Sequence, residues 1–236
     1  MDAGAGHVNG PTMLRLIPYL VADGPTQMAV DDWLLESAVA GHHLFRFYAW
    51  QPPTLSLGYF QPHLERLNHP AWATLPWVRR CTGGGAILHG DDLTYAVALP
   101  PETARKRRHA DWHCELHRLM NRLLREAGLP TTVLGGTRPG PQELDYLCFT
   151  VPQPGDVMLG NRKVIGGAAR AWQGALLQHG SVYEEAKEPL REKLPQALAQ
   201  WLGLPLQEVA LGPEEWRHIH AIAENKFRRA SWNEKR

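Results

Sequence analysis

Apolar and polar positions alternate in a way that divides the chain into short strands and a few helices. Leu14 to Tyr19 predicts a first strand, and Pro25 with Thr26 opens an amphipathic helix in which Met28, Leu35 and Val39 fall near one face. Two strands follow, Leu44 to Tyr48 and Thr54 to Tyr59, with Pro52 and Pro53 enforcing the turn between them. Trp77 to Arg80 predicts a strand running into Gly83, Gly84 and Gly85. Leu93 to Leu99 predicts another, stopped by Pro100 and Pro101. The strongest helical period runs from about Thr103 to Gly128, carried by Trp112, Leu116, Leu119, Met120, Leu123 and Ala127. After a Gly- and Pro-rich loop at 135–141, Val157–Leu159 and Lys163–Ile165 flank a tight Gly160–Asn161 hairpin turn. Ala175 to His179 predicts a last strand, and helices are expected at 187–201 and 213–229. With no repeat and no long linker, this reads as one α+β domain over 13–236, behind a flexible Gly-rich start at 1–12.

Composition narrows the possibilities. Of 236 residues, 44% are apolar and 21% charged, enough for a substantial core. Twenty-five Lys and Arg against 24 Asp and Glu leave +1, which removes nucleic-acid binding by bulk charge. Three widely spaced cysteines, Cys81, Cys114 and Cys148, argue against a disulfide framework and for a reducing compartment. No run approaches the ~20 apolar residues of a membrane span, and Met1 to Pro11 lacks the build of a signal peptide. A cytoplasmic protein that binds neither membrane nor nucleic acid is the expectation.

The first chemical signal is Arg79-Arg80-Cys81-Thr82-Gly83-Gly84-Gly85-Ala86, followed by His89 and by Asp92-Leu93-Thr94-Tyr95. Consecutive glycines after a strand let a ligand approach the backbone and expose N–H groups to a carbonyl or phosphate. A second block is Gly160 to Arg170, containing Lys163, Gly166, Gly167 and Ala168. A third is Leu176-Leu177-Gln178-His179-Gly180-Ser181-Val182, with weaker echoes at Met28-Ala29 and Leu55 to Gly58. In this order the blocks resemble the lipoate/octanoate protein ligase and transferase family, over about residues 14 to 185. The resemblance implies a biotin/lipoate protein ligase-like catalytic domain, with mainly antiparallel mixed sheets flanked by helices.

The resemblance also implies a choice of chemistry. Lipoate ligases activate a free acid with ATP and Mg, and many carry a C-terminal accessory domain for which the residues after Val182 are few. Octanoyltransferases move the acyl group through a cysteine thioester. One transferase branch sets that cysteine ahead of the lysine in a Cys-Phe-x-x-Pro context, which Cys148-Phe149-Thr150-Val151-Pro152 matches, fifteen residues before Lys163. The other branch sets it after the lysine, where this chain has none. Taken alone, Cys148 would be a small buried apolar residue; its context makes it the expected nucleophile. A neighbouring ammonium favours the thiolate, which gives Lys163 its role.

The expected site therefore has Cys148 and Lys163 as catalytic residues, with Arg80, Thr82, Gly83, Gly84, Gly85, His89, Gly166, Gly167, Ala168, His179 and Gly180 holding substrate. No metal and no cofactor are expected, ATP and Mg entering only under the ligase alternative. Octanoyl-acyl carrier protein is the expected donor, and a lipoyl domain or the glycine-cleavage H protein the acceptor. The alternatives are an ATP-dependent lipoate ligase or its catalytic subunit, a lipoyl-domain amidotransferase, and a carrier-binding relative without catalysis. Retention of Cys148 with Lys163 argues against the last. Gly167-Ala168-Ala169-Arg170 departs from the Ser and Ala-Gln-x-Arg of many relatives, which changes the fine substrate contacts.

Two clusters stand apart. His109, His113 and His117 recur every four residues, but Glu115 is misplaced for the zinc-peptidase patterns, so an exposed helix face is expected there. Arg105-Lys106-Arg107-Arg108 reads as a solvated helix start or as a docking patch for acidic carrier domains.

Overall fold

The structure, a computed structural model, describes residues 12–136 and 151–236. In chain order it forms β1 (Leu14–Ala22), α1 (Gly24–Val39), β2 (His43–Trp50) and β3 (Thr54–Leu57). A 3₁₀ turn (His63–Asn68), α2 (Pro70–Ala73), β4 (Trp77–Arg79), β5 (Ile87–His89) and β6 (Leu93–Leu99) follow. Next come α3 (Pro101–Ala104), α4 (His109–Glu126), β7 (Thr131–Val133), β8 (Val157–Leu159), β9 (Arg162–Trp172) and β10 (Ala175–Val182). A short 3₁₀ turn (Glu184–Ala186), α5 (Lys187–Leu202), β11 (Leu206–Glu208), α6 (Pro213–Ile222), a π turn (Ala223–Phe227) and α7 (Ala230–Asn233) complete it.

Eight strands make one sheet in the order β11-β1-β2-β6-β10-β9-β8-β7, and β4-β3-β5 make a second. Pairing is antiparallel except where β1 meets β2 and β11, and where β3 meets β4. This is the expected α+β architecture. No helix among the described residues is long and apolar enough to cross a membrane.

The large sheet is covered on both faces, so its central strands are apolar throughout rather than alternating. On β6, Leu93, Tyr95, Val97 and Leu99 face the core beneath α4 and α5, while Ala96 and Ala98 face the core beneath α1. Small residues on that second face let α1 come close, and its Met28, Trp33, Leu34 and Ala38 fill the gap with Ile219 and Phe227 from the C-terminal helices. Asp23 caps α1 by accepting from the Thr26 amide at 3.0 Å.

Three expectations need correction. The helix over 103–128 is two helices. Arg105 to Arg108 form the corner between them, because four cations in a first turn would oppose the helix dipole. Trp112 Nε1 closes this corner on the Ala104 carbonyl at 2.8 Å. His113 and His117 are not on an exposed face: both are buried, His117 completely. The strand at Lys163–Ile165 extends to Trp172, since eight-residue pairing with β10 overrides the weak strand preference of Gly166-Gly167-Ala168-Ala169. The short elements α2, β5, β7 and β11 were not expected, and other departures are of length. β1 and β10 run three residues beyond their expected ends, β3 stops at Leu57, and 213–229 divides at Ile222.

Candidate functional site

The glycine loop leaves β4 and turns back into β5. Gly84 has φ +91°, a conformation that favours glycine, and a Cβ on Gly58 would sit 1.9 Å from the Gly84 carbonyl oxygen. Arg80 holds this loop from inside. Its guanidinium donates to the carbonyls of Gly83 and Gly85, each at 2.7 Å, and to that of Ser56 at 3.0 Å. A bidentate fork is suited to this because its donors are fixed in one plane.

From the loop, Thr82 reaches the large sheet. Its hydroxyl lies 2.6 Å from His179 Nε2, and His179 Nδ1 lies 2.6 Å from Asp31 Oδ2. A carboxylate offers only acceptors, so Nδ1 carries a proton toward Asp31, and Nε2 is the nitrogen that meets Thr82. Asp31 also accepts from Arg46 at 2.6 Å and from the Tyr48 hydroxyl at 3.0 Å. Burial works against its charge, yet Arg46 and His179 outweigh that and hold its carboxyl below the ordinary value. Burial and the Asp31 charge push the Tyr48 hydroxyl well up, so it stays a proton donor.

A second chain supports the loop's return. His89 Nδ1 donates to Asp92 at 2.7 Å, and its Nε2 accepts from Ser56 at 2.9 Å. Trp50 stacks on the His89 ring at 4.0 Å and donates its N–H to Thr94 at 2.8 Å, while Thr94 donates to Asp92 at 3.1 Å. His89 thus fixes the loop indirectly, through Ser56 and Arg80.

Between these chains opens a narrow, mainly apolar cavity. Met28, Tyr48 and Trp50 form its buried part, and exposed Gly84 with half-buried Ile87 and Ala168 its mouth. Arg80, His89, Gly167, His179 and Gly180 also face it. Gly83, Gly85 and Gly166 are chain neighbours of residues that line it, and Thr82 lies two residues from both Arg80 and Gly84.

The strands behind the cavity are stripped of side chains for a reason. A Cβ on Gly180 would lie 2.1 Å from the Gly166 carbonyl oxygen and 2.7 Å from the Tyr95 hydroxyl. A Cβ on Gly166 would lie 2.3 Å from Lys163 Cε and 2.7 Å from Nζ. The space vacated at Gly166 is therefore where the Lys163 ammonium sits, and Gly166 itself pairs in register with cavity-lining Ser181. Lys163 pairs with buried Asp156 at 2.8 Å, and Asp156 also accepts from the Gln153 amide at 2.7 Å. His117 anchors the same turn: Nδ1 donates to the Gly155 carbonyl at 2.6 Å and Nε2 accepts from Tyr95 at 2.7 Å. Burial holds the His117 pKa down at about 4.

His113, His117 and Asp156 bring possible metal-ligand atoms within 4.8 Å of one another. Both ring nitrogens of His117 are already engaged, and Asp156 carries Lys163 and the Gln153 amide. The arrangement is a polar brace.

Cys148, the expected nucleophile, lies outside the described residues. Cys81 is buried, with its thiol pushed up to about 12 by burial, so it is no nucleophile. Sequence reasoning missed Asp31, Arg46, Tyr48, Asp156 and the bracing role of His117. The available signal was an ionisable residue inside an apolar run: Asp31 within Met28–Leu35, and Arg46 within Leu44–Tyr48.

Residues 23–200 match the lipoyl protein ligase A/B catalytic domain. An octanoyltransferase LipM from Moorella thermoacetica is 36% identical over 174 residues, covering 71% of this chain and 64% of that protein, so the match spans less than two thirds of it. The Symbiobacterium thermophilum octanoyltransferase LipM is 32% identical over 191 residues, covering 78% and 69%. Among solved structures, a T. acidophilum protein assigned as a lipoate protein ligase, with lipoic acid bound, superposes with TM-score 0.76 at 18% identity, covering 95% of this chain and 99% of that one. Lipoate-protein ligase A bound with ATP gives 0.70 at 20% identity, covering 95% and 99%. Likeness at such identities concerns the fold.

Proposed function

Because the chain belongs to the lipoyl protein ligase A/B catalytic domain family, we propose that it is an octanoyltransferase acting through a cysteine thioester. The observation that carries the reading is the Lys163 ammonium, held by buried Asp156 in the gap left by Gly166, the residue before cavity-lining Gly167. The relatives named octanoyltransferase LipM support the same reaction.

In this reading the octanoyl chain lies against Met28, Tyr48 and Trp50, with its carbonyl between the glycine loop and the Gly166–Ala168 strand. The Cys148 thiolate attacks the thioester of octanoyl-acyl carrier protein. The new C–S bond forms as the carrier thiolate leaves and takes up a proton. Lys163 favours the thiolate form of Cys148 and stabilises negative charge on the carbonyl oxygen. The amine of a lipoyl-domain lysine then attacks the acyl-enzyme, loses a proton, and releases Cys148 as the amide forms. Thioester exchange is nearly balanced and amide formation is downhill, so ATP has no step to drive.

Incubation with octanoyl-acyl carrier protein, without ATP, is expected to add one hydroxylamine-labile octanoyl mass, located at Cys148 by peptide mapping. Adding a lipoyl domain discharges it. Cys148→Ser abolishes the adduct, and Lys163→Met slows its formation by about 10²–10³-fold. Full transfer by Cys148→Ser, or labelling that requires ATP and free octanoate, overturns the proposal.

A further inference from the structure

Residues beyond the matched 23–200 segment hold the strand from which the glycine loop springs. β4 is the edge of the small sheet, paired with β3 on one side alone. At Arg79 the outward N–H and C=O would be left without a strand partner. They are met instead by side chains of α7. Asn233 Oδ1 accepts from the Arg79 amide at 2.9 Å, and Trp232 Nε1 donates to the Arg79 carbonyl at 2.8 Å. The Arg79 side chain adds to this clasp. Its Nε donates to the Asn233 carbonyl at 2.8 Å, while NH1 donates to the carbonyls of Gly58 and Gln61 at 2.9 and 2.7 Å. The turn after β3 and the start of the loop are thereby tied to one point on α7.

That point is itself fixed. Asn233 Nδ2 donates to the Phe227 carbonyl at 2.8 Å, and Phe227 is fully buried against α1. Lys226 pairs with Asp32 on α1, and Arg228 pairs with the α1 cap Asp23 at 2.8 Å. The next residue after Arg79 is Arg80, whose guanidinium holds Gly83 and Gly85. A shift of Arg79 is carried directly into the loop.

We propose that Trp232 and Asn233 are positioning residues for the glycine loop, acting through Arg79. The proposal rests on the reading of that loop as an acyl-carbonyl site, but its first test does not. Hydrogen exchange at the amides of residues 80–85 is compared in the wild type, Asn233→Ala, Asn233→Asp and Trp232→Phe. Asn233→Ala and Trp232→Phe are expected to speed exchange there by about tenfold or more, with α4 and α5 unchanged. Asn233→Asp keeps the acceptor and restores much of the protection. In the transfer assay Asn233→Ala raises KM for the acyl donor by about 10- to 100-fold with a smaller change in kcat.

Unchanged exchange at 80–85 in both Asn233→Ala and Trp232→Phe overturns the positioning role, whatever the activity. Altered exchange in a protein that transfers no acyl group overturns the functional reading and leaves the clasp standing. Should Asn233→Ala fail to fold, Trp232→Phe removes a single hydrogen bond and carries the test.

Discussion

A methyl group is too large at Gly180, because what it would meet is backbone. Gly180→Ala sets a carbon 2.1 Å from the Gly166 carbonyl oxygen, and neither strand can yield without breaking the β9–β10 pairing. Urea denaturation is expected to show a loss of about 3 kcal/mol or more, the upper end of what forced overpacking costs. At Gly166 the same methyl meets side chains, Lys163 Cε at 2.3 Å and Nζ at 2.7 Å with Asp156 Oδ1 at 3.4 Å, so the clash is relieved by moving the ammonium; stability falls less than at Gly180, while acylation drops about 100-fold or more. Equal stability losses in the two variants would refute this division. The glycines, Lys163 and His179 were legible in the sequence because a rigid motif needs those residues at those spacings. Asp31 and Asp156 were not, since a carboxylate looks the same in sequence whether it is solvated or buried against a cation. Only the fold brings Asp31 to His179, 148 residues away.

At the scale of elements, α4 shows what periodicity reads and what it misses. The apolar stripe from Trp112 to Leu124 was plain, and it faces the core. The sequence pattern left His113 and His117 for the solvent side, yet the turn at Gly155 covers that flank, and β7 and β9 pack on the same helix. His117 is held neutral there, with a pKa of about 4 against an ordinary 6.5. The unfolded chain therefore binds the extra proton first as pH falls. The stabilisation is complete above about pH 6.5 and disappears as pH drops toward 4, amounting to about 3 kcal/mol over that window. Urea midpoints at pH 7 and pH 5 should fall less in His117→Gln than in the wild type, and an equal fall in both disproves the assignment. Strand ends were the least legible features, since β9 continues through small residues only because β10 pairs with it.

For the molecule as a whole, one sheet separates two cores, and β6 and β10 contribute side chains to both. Neither core can open without exposing the strands that close the other. Chemical unfolding followed by far-ultraviolet circular dichroism and by tryptophan fluorescence is expected to give coincident transitions. Tryptophans lie in both cores, Trp112 in one and Trp33 and Trp50 in the other, so a fluorescence change that clearly precedes the loss of secondary structure would mean that one core melts before the other. The architecture was legible from element order, but the packing of the C-terminal helices was not, because their contacts reach back across most of the chain. Asn233 meets Arg79 across 154 residues. On a ribosome adding about 5–20 residues per second, that distance is a delay of about 8–30 s between the birth of β4 and the arrival of its clasp. Throughout that interval the nascent chain carries an open strand edge beside its glycine loop, the kind of template on which neighbouring chains pair wrongly. Fast completion of the last turns of this protein is thus a protection against aggregation during synthesis.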